Sequence, residues 1–199
     1  MVNYSNIFVN EGLSYSAYKE LVTKRLENGQ TTGEDGSDAM LHYSKMNLQR
    51  MKRVEKTIRV LPELEKELLA LTDRYRLLII TEGWCGDAAQ LVPVFQHIAL
   101  QFPEKLELRL VLRDQHLELM DAHLTNGGRA IPVMLIINEE GEQIAKWGPR
   151  PAILQEMLGG WKKEESDLFK VAEKLHHWYA KDQTRHTQEE LSQVFRSLK

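Results

Sequence analysis

The chain has 199 residues, of which 42% are hydrophobic and 28% are charged, and its formal net charge at pH 7 is −3. This composition is typical of a soluble globular protein and excludes a disordered chain. The nearly balanced charge gives no overall attraction to nucleic acid. No apolar run approaches the ~20 residues of a membrane-spanning helix. We therefore expect neither nucleic acid nor a membrane as a partner.

Cys85 is the one cysteine in the sequence. An intramolecular disulfide is therefore impossible, and a cysteine bridge can form only with another molecule. The N-terminal residues 1–12 lack both the basic and the apolar region of a secretory signal, which predicts a cytoplasmic location.

The N-terminal part of the chain is predicted to be helical. Apolar residues at helical spacing predict a short helix from Ser14 to a stop at Gly29. Residues 30–37 contain two glycines and no apolar side chain, which predicts a solvated linker. A longer apolar stripe then runs from Met51 to Leu71, and Pro62 is expected to divide it into two helices.

From Arg76 the pattern changes to that of an α/β domain. Residues 77–80 form a continuous apolar run, typical of a strand buried on both faces, and a helix is predicted to begin at the cysteine. A second strand (106–112), a third helix (115–125) and an antiparallel hairpin (133–137 and 143–147) follow. A closing helix is predicted from about Pro151 to a stop at Gly159-Gly160. This order predicts a mixed sheet, with parallel strands and a C-terminal antiparallel hairpin, flanked by helices.

Two further helices are predicted after residue 160. One has a stripe that begins at Leu168 and ends at Trp178, and the other opens at a capping box over 187–190. We therefore divide the chain into an N-terminal helical extension (1–71), a sheet domain (72–160) and a C-terminal helical extension (161–199). The apolar faces of the extensions need a covering surface: the sheet domain, each other, or a second copy in a homodimer.

Cys85 is the candidate catalytic residue. At the start of a helix, backbone N–H groups and the helix dipole favour the thiolate, which is the nucleophilic form. Asp87 in the first turn acts in the opposite direction and raises the pKa of the thiol, so the sign of the net shift stays open. Trp84 is expected to cover part of the sulfur, whereas Gly86 leaves its approach open. A lone cysteine is more often a small buried apolar residue, but this position favours the reactive interpretation.

Four features in this order resemble the thioredoxin superfamily over about residues 72–160. They are Trp84-Cys85-Gly86 after a hydrophobic strand, Pro93 eight residues beyond the cysteine, Gly-Arg-Ala-Ile-Pro at 128–132 before the hairpin, and Gly148 closing the hairpin.

The resemblance implies a role for each matching position. Cys85 matches the attacking cysteine of the family's CxxC motif, and Pro93 matches the proline that kinks the active-site helix. Pro132 matches the cis-proline that faces the nucleophile, and the backbone of Ile131 is expected to pair with an extended partner. Trp84 and Gly86 complete the expected substrate-binding surface, and Asp87 supports the site together with Pro93.

Two positions depart from the family pattern. Ala88 stands where the resolving cysteine would be, and Ile79 stands where many thioredoxins have a buried aspartate. A dithiol mechanism is therefore ruled out. Two hypotheses remain: a monothiol oxidoreductase, in which Cys85 attacks a protein or low-molecular-weight disulfide and an external thiol completes turnover, and a redox-inactive module that binds a protein partner.

A basic face on the long N-terminal helix is a weaker signal. Lys45, Arg53 and Lys56 belong to it, together with Arg50, Lys52 and Arg59. This face is either a solvated surface or an anion site. No Cys/His cluster has metal-ligand spacing, the adjacent His176 and His177 point apart on a helix, and no glycine-rich nucleotide loop is present. We therefore expect neither a metal nor a cofactor.

Overall fold

A mixed four-stranded sheet with the order β2-β1-β3-β4 forms the centre of the protein. The computed structural model describes residues 2–199. The strands are β1 (Tyr75–Thr81), β2 (Leu106–Leu112), β3 (Val133–Ile137) and β4 (Gln143–Trp147). Strand β1 runs parallel to β2 and antiparallel to β3, which pairs antiparallel with β4. The predicted α/β architecture with a C-terminal antiparallel hairpin is confirmed.

Helices flank the sheet on the N-terminal side, between the strands and on the C-terminal side. They are α1 (Tyr4–Asn6), α2 (Tyr15–Glu27), α3 (Asp38–Thr57), α4 (Pro62–Leu69), α5 (Gly86–Gln101), α6 (Leu117–Asp121), α7 (Ala152–Glu164), α8 (Leu168–Asp182) and α9 (Arg185–Arg196). A π-helical segment, Ile7–Glu11, continues α1, and a 3₁₀ turn, Arg113–Gln115, precedes α6. The predicted division at Pro62 is confirmed, because Pro62 is the first residue of α4.

Strand β1 is buried on both faces, as its continuous apolar run predicts. Leu78, Ile79 and Ile80 are fully buried. In the register, Ile79 lies opposite Leu110 of β2 and Met134 of β3. Because β1 is a central strand, the loop that leaves its C-terminal end, which contains the cysteine, is anchored in the core.

The two predicted extensions pack on the sheet region within the same chain. Helix α3 packs against α5, and α4 packs against α9. Met51 of α3, Leu175 of α8 and Phe195 of α9 all belong to the buried core that contains the strands. These three residues are therefore covered by the chain itself, whereas the domain limits at residues 71 and 160 and a homodimer stay predictions.

The predicted stop of α7 at Gly159-Gly160 is wrong. The helix continues through both glycines to Glu164. Neither glycine has a positive φ, and Trp161 beyond them packs against the core. Contact by this aromatic ring outweighs the modest helix propensity lost at two glycines, about 1 kcal/mol each.

Three further helix predictions need correction. Helix α9 begins at Arg185, so Thr187 is buried inside the helix rather than capping it. Leu168 is 70% exposed because the buried stripe of α8 consists of Val171, Leu175 and Tyr179. The helix predicted over 115–125 is shorter in the structure, where α6 covers only Leu117–Asp121. The sequence pattern did not predict α1 or the π-helical segment that continues it.

Candidate functional site

Cys85 caps the N-terminus of α5 at the end of the loop that follows β1. Its Sγ accepts a hydrogen bond from the N–H of Ala88, 3.4 Å away, and donates one to the carbonyl oxygen of Ile131, 3.3 Å away. The residue is only 8% exposed. The sulfur therefore bridges the start of α5 and the loop before β3, and it uses its proton in doing so.

The thiol is held in its protonated form. Burial, followed by the nearby Asp87 carboxylate, raises the pKa of Cys85 to about 12. The N–H of Ala88 and the guanidinium of Arg150 lower this pKa but do not compensate. The sequence left the sign of the shift open, and desolvation decides it, because a thiolate loses more solvation on burial than helix N–H groups restore.

Asp87 forms a buried ion pair beside the cysteine. Arg150, just after β4, contacts both carboxylate oxygens, with Nη2–Oδ2 at 2.6 Å and Nε–Oδ1 at 3.1 Å. The hydroxyl of Tyr179 in α8 donates to Oδ1 at 2.7 Å. The Asp87 charge is therefore neutralised by Arg150 and its carboxylate accepts a hydrogen bond from Tyr179, two residues far apart in the chain.

A lid formed by Tyr43 and His176 covers Gly86. The hydroxyl of Tyr43 lies 2.9 Å from His176 Nε2, and Gln90 Nε2 lies 3.0 Å from His176 Nδ1. A Cβ placed on Gly86 would be 2.3 Å from the Tyr43 oxygen. The glycine was expected to leave the approach to the sulfur open, but helices α3 and α8 cover that side instead.

The imidazole of His176 is neutral, and its orientation is defined by its neighbours. Because the Gln90 amide nitrogen can only donate, His176 Nδ1 accepts and Nε2–H donates to Tyr43. Burial, together with the positive charges of Arg50 and Arg53, lowers the pKa of His176 to about 3. His176 is half-buried whereas His177 is exposed, because adjacent side chains on a helix point about 100° apart.

The loop before β3 is exposed over residues 126–129 and becomes buried at its last two residues. Ile131 and Pro132 are both buried, and the peptide bond between them is cis. Gly148 approaches this loop from the end of β4, with a φ of +125° and an ideal Cβ position only 2.4 Å from the carbonyl oxygen of Pro132. A side chain at residue 148 is therefore excluded twice, by backbone conformation and by contact. Pro93 lies buried inside α5.

Trp84 lines an open cleft of about 430 Å³ on the other side of the cysteine loop. The guanidinium carbon of Arg113 lies 4.6 Å from the centre of its ring. Met40 and Leu117 add apolar surface, and Arg129 also lines the cleft. Trp84 is only half-buried, so this cleft is the part of the predicted substrate-binding surface that a partner can reach.

The segment predicted as a solvated linker packs against the site. The hydroxyl of Thr32 donates to the Glu82 carboxylate and accepts from the N–H of Gly83. Glu82 also accepts from the N–H of Asp114 at 3.0 Å. Burial raises the pKa of Glu82 to about 7 despite these hydrogen bonds. The linker prediction is wrong for Thr31 and Thr32. Thr31 is buried and its hydroxyl donates to the carbonyl oxygens of Gly33 and Asp35 within the segment, whereas the hydroxyl of Thr32 donates to Glu82.

Sequence reasoning missed four residues around Cys85 and the start of α5. Tyr43, His176 and Tyr179 come from the extensions, and Arg150 comes from the segment after β4. One signal was present for Tyr179, which continues the stripe of Val171 and Leu175 by four residues. Ala88 and Ile79, the two departures from the family motif, are both buried.

Residues 2–199 contain no group of three or more His, Cys, Asp or Glu side chains placed to hold a metal ion. In the same residues, no helix is long and apolar enough to cross a membrane.

The sheet order, the cysteine at the N-terminus of α5 and the cis peptide bond at Pro132 together describe a known architecture. A family model described as thioredoxin matches residues 33–168, which is more than half of the chain. The chain belongs to this thioredoxin family. The match begins within the predicted N-terminal extension, so it includes α3 and its contact with α5.

Two solved structures share the fold over nearly the whole chain. A protein of unknown function from Pseudomonas aeruginosa is 18% identical, with a TM-score of 0.63 and 100% of both chains covered. An HIV epitope scaffold is 17% identical, with a TM-score of 0.62 and coverage of 98% of this chain and 99% of the scaffold. At such identities the likeness concerns the fold alone. No curated protein matches the chain.

Proposed function

We propose that this thioredoxin-family protein is a binding module in which the cleft at Trp84 holds an extended segment of a partner protein. Cys85 is then a structural residue. The observation that carries this proposal is the state of the thiol: it is 8% exposed, donates its proton to Ile131, and has a pKa raised to about 12. At pH 7 almost none of the Cys85 side chains are deprotonated, and the thiolate is the form that attacks disulfides.

The cleft has the chemical character of a protein-binding surface. Trp84 and Leu117 provide apolar contact, and Leu117 is 40% exposed. The positive charges of Arg113 and Arg129 are paired with Asp114 and Asp121, respectively. Glu34 and Asp35 also line the cleft and form no salt bridge within residues 2–199. We therefore expect apolar contact and hydrogen bonds to provide the affinity, and these two carboxylates to disfavour acidic segments.

A defined probe tests this proposal. Extended decapeptides selected from a displayed random library are titrated against the wild type and three variants. Cys85→Ser is expected to bind as the wild type does, and Leu117→Glu is expected to weaken binding about tenfold, or ~1.4 kcal/mol. Leu100→Glu is the matched control, since Leu100 is 68% exposed and lies outside the cleft. Equal effects of Leu117→Glu and Leu100→Glu would contradict the cleft as the binding surface.

A monothiol oxidoreductase is the second candidate, and the position of the sulfur favours it. Cys85 Sγ lies at the N-terminus of α5 beside Ile131 and Pro132, where family resemblance places the attacking thiol. In this function, deprotonated Cys85 attacks one sulfur of a partner disulfide, that S–S bond breaks, and the other sulfur leaves as a thiolate and takes up a proton. An external thiol then attacks the mixed disulfide, forms a new disulfide with the partner sulfur and releases Cys85.

The two candidates differ in their response to reductant and to loss of the sulfur. A partner held by the cleft stays bound in dithiothreitol and binds Cys85→Ser. A partner held by the monothiol reaction is released by dithiothreitol, and no complex forms with Cys85→Ser. The second pattern, with mass spectrometry locating the bond at Cys85, would replace the binding proposal with the oxidoreductase.

A further inference from the structure

A second cavity, of about 470 Å³, lies between α3, the start of α5 and the C-terminal end of α8. It shares no lining residue with the Trp84 cleft. Its volume falls within the range of small-molecule sites, about 300–1,000 Å³. The cavity is therefore a separate candidate site, and its occupancy is independent of the function proposed for the cleft.

Two arginines of the basic face line this cavity without carboxylate partners. Arg53 and Arg59 form no salt bridge within residues 2–199. No Asp or Glu is among the residues that line the cavity. Elsewhere, Arg113, Arg129 and Arg150 each contact a carboxylate. The cavity thus has an uncompensated positive charge.

Most of the donor capacity of these arginines is unused. Arg53 Nη2 donates to Gln90 Oε1 at 3.1 Å, and Arg59 Nη1 donates to the carbonyl oxygen of Ile58 at 2.7 Å. A guanidinium has five N–H donors in a planar fork that matches a carboxylate or a phosphate. Thr57 also lines the cavity, and its hydroxyl donates to the backbone carbonyl oxygen of Arg53 at 3.0 Å.

The rest of the wall is suited to an organic body rather than to a bare ion. Val54 and Ile58 line the cavity and are buried in the core. On the side of α8, Gln183 and Thr184 both have left-handed backbone conformations, with φ of +51° and +69°. They form the turn between α8 and α9, in which Gln183 is the C-cap of α8, and a left-handed residue commonly ends a helix.

We infer that this cavity binds a small organic anion, with its carboxylate or phosphate on Arg53 and Arg59 and its apolar body against Val54 and Ile58. The two guanidiniums provide charge and paired donors for the anionic group. The apolar wall provides the contact that separates an organic anion from inorganic phosphate.

Titration calorimetry of the full chain with four probes tests the inference. Phenyl phosphate and benzoate carry the two candidate head groups, inorganic phosphate lacks the apolar body, and benzamide lacks the charge. We expect saturable binding of phenyl phosphate, benzoate or both, weaker binding of inorganic phosphate, and none of benzamide. The tighter of the two aromatic anions identifies the preferred head group. Absence of saturable binding by both aromatic anions, or equal affinity for inorganic phosphate, would overturn the inference.

Charge-matched variants locate the site. Arg53→Gln and Arg59→Gln are each expected to weaken binding at least tenfold. Lys45→Gln removes the same charge from an exposed residue of α3 outside the cavity lining and is expected to leave binding unchanged. Thermal unfolding of each variant checks that the fold is retained. An equal loss in Lys45→Gln would show a diffuse basic surface and contradict a site in this cavity.

Discussion

Arg150 holds the carboxylate of Asp87 at two points, with Nη2–Oδ2 at 2.6 Å and Nε–Oδ1 at 3.1 Å. The side chains are only 11% and 9% exposed. This pair fastens the segment after β4 to the first turn of α5, two residues from Cys85. It also places a compensated negative charge where an activated thiol would need a positive one.

Arg150→Met is expected to lower the free energy of unfolding by about 3–5 kcal/mol, because it leaves the Asp87 charge buried without its guanidinium. Urea denaturation measures this. Arg129→Met is the matched control, since Arg129 also contacts a carboxylate, that of Asp121, but both side chains are nearly half exposed. We expect a loss of no more than about 1 kcal/mol for the control. Similar losses in the two variants would contradict the structural importance of the buried pair.

Gly86→Ala tests the lid formed by Tyr43 and His176. The new Cβ would meet the Tyr43 oxygen at 2.3 Å, so we expect a loss of about 1–3 kcal/mol in the free energy of unfolding. Tyr43→Phe removes that oxygen. The double variant should therefore lose less stability than the sum of the two single variants.

Gly160→Ala is the control for this substitution, because nothing lies within 4 Å of a Cβ at Gly160 inside α7. It is expected to stabilise the protein by about 0.5–1 kcal/mol. If Gly86→Ala behaved in the same way, the lid would not occupy the space over Gly86.

Glu82 makes stability depend on pH in the direction opposite to that of an ordinary carboxylate. Its folded pKa is raised to about 7 from 4.5. Between these values the native state binds more protons than the unfolded state, so the free energy of unfolding falls as pH rises. Below the unfolded pKa, the contribution is fully present, and above the folded pKa it is lost.

The measurement is the free energy of unfolding of the wild type minus that of Glu82→Gln across this window. The pH-dependent contributions of groups that both proteins share, including His176, cancel when the two free energies of unfolding are subtracted. We expect the difference to fall by on the order of 2 kcal/mol from pH 5 to pH 7. A difference independent of pH would show that Glu82 is ionised normally in the native state.

The features of the fold that the sequence predicted are those with a local pattern. The apolar run at 77–80 predicts a strand buried on both faces, and Pro62 predicts the start of a helix, because the physical cause lies within a few residues. The position of Cys85 at the start of α5 was predictable for the same reason. The residues before it, 77–80, form a continuous apolar run that predicts a strand, and the apolar residues after it recur at helical spacing.

The surroundings of Cys85 were not predictable, because they come from residues far apart in the chain. Nothing near Arg150 indicates that it contacts Asp87, and Tyr43 gives no sign of an interaction with His176. The polar composition around Thr32 indicates solvent, yet its hydroxyl bonds to buried Glu82. These tertiary contacts turn an expected open, reactive thiol into a covered one.

The protonation of Cys85 in the native protein tests the central claim most directly. The measurement is the rate of alkylation of the native protein by iodoacetamide as a function of pH, with urea-unfolded protein as the reference for a free thiol. We expect slow alkylation and a midpoint far above that of the unfolded protein, which should lie near the free-thiol pKa of about 8.5. Rapid alkylation with a midpoint below that of the unfolded protein would contradict a structural Cys85 and identify an activated nucleophile.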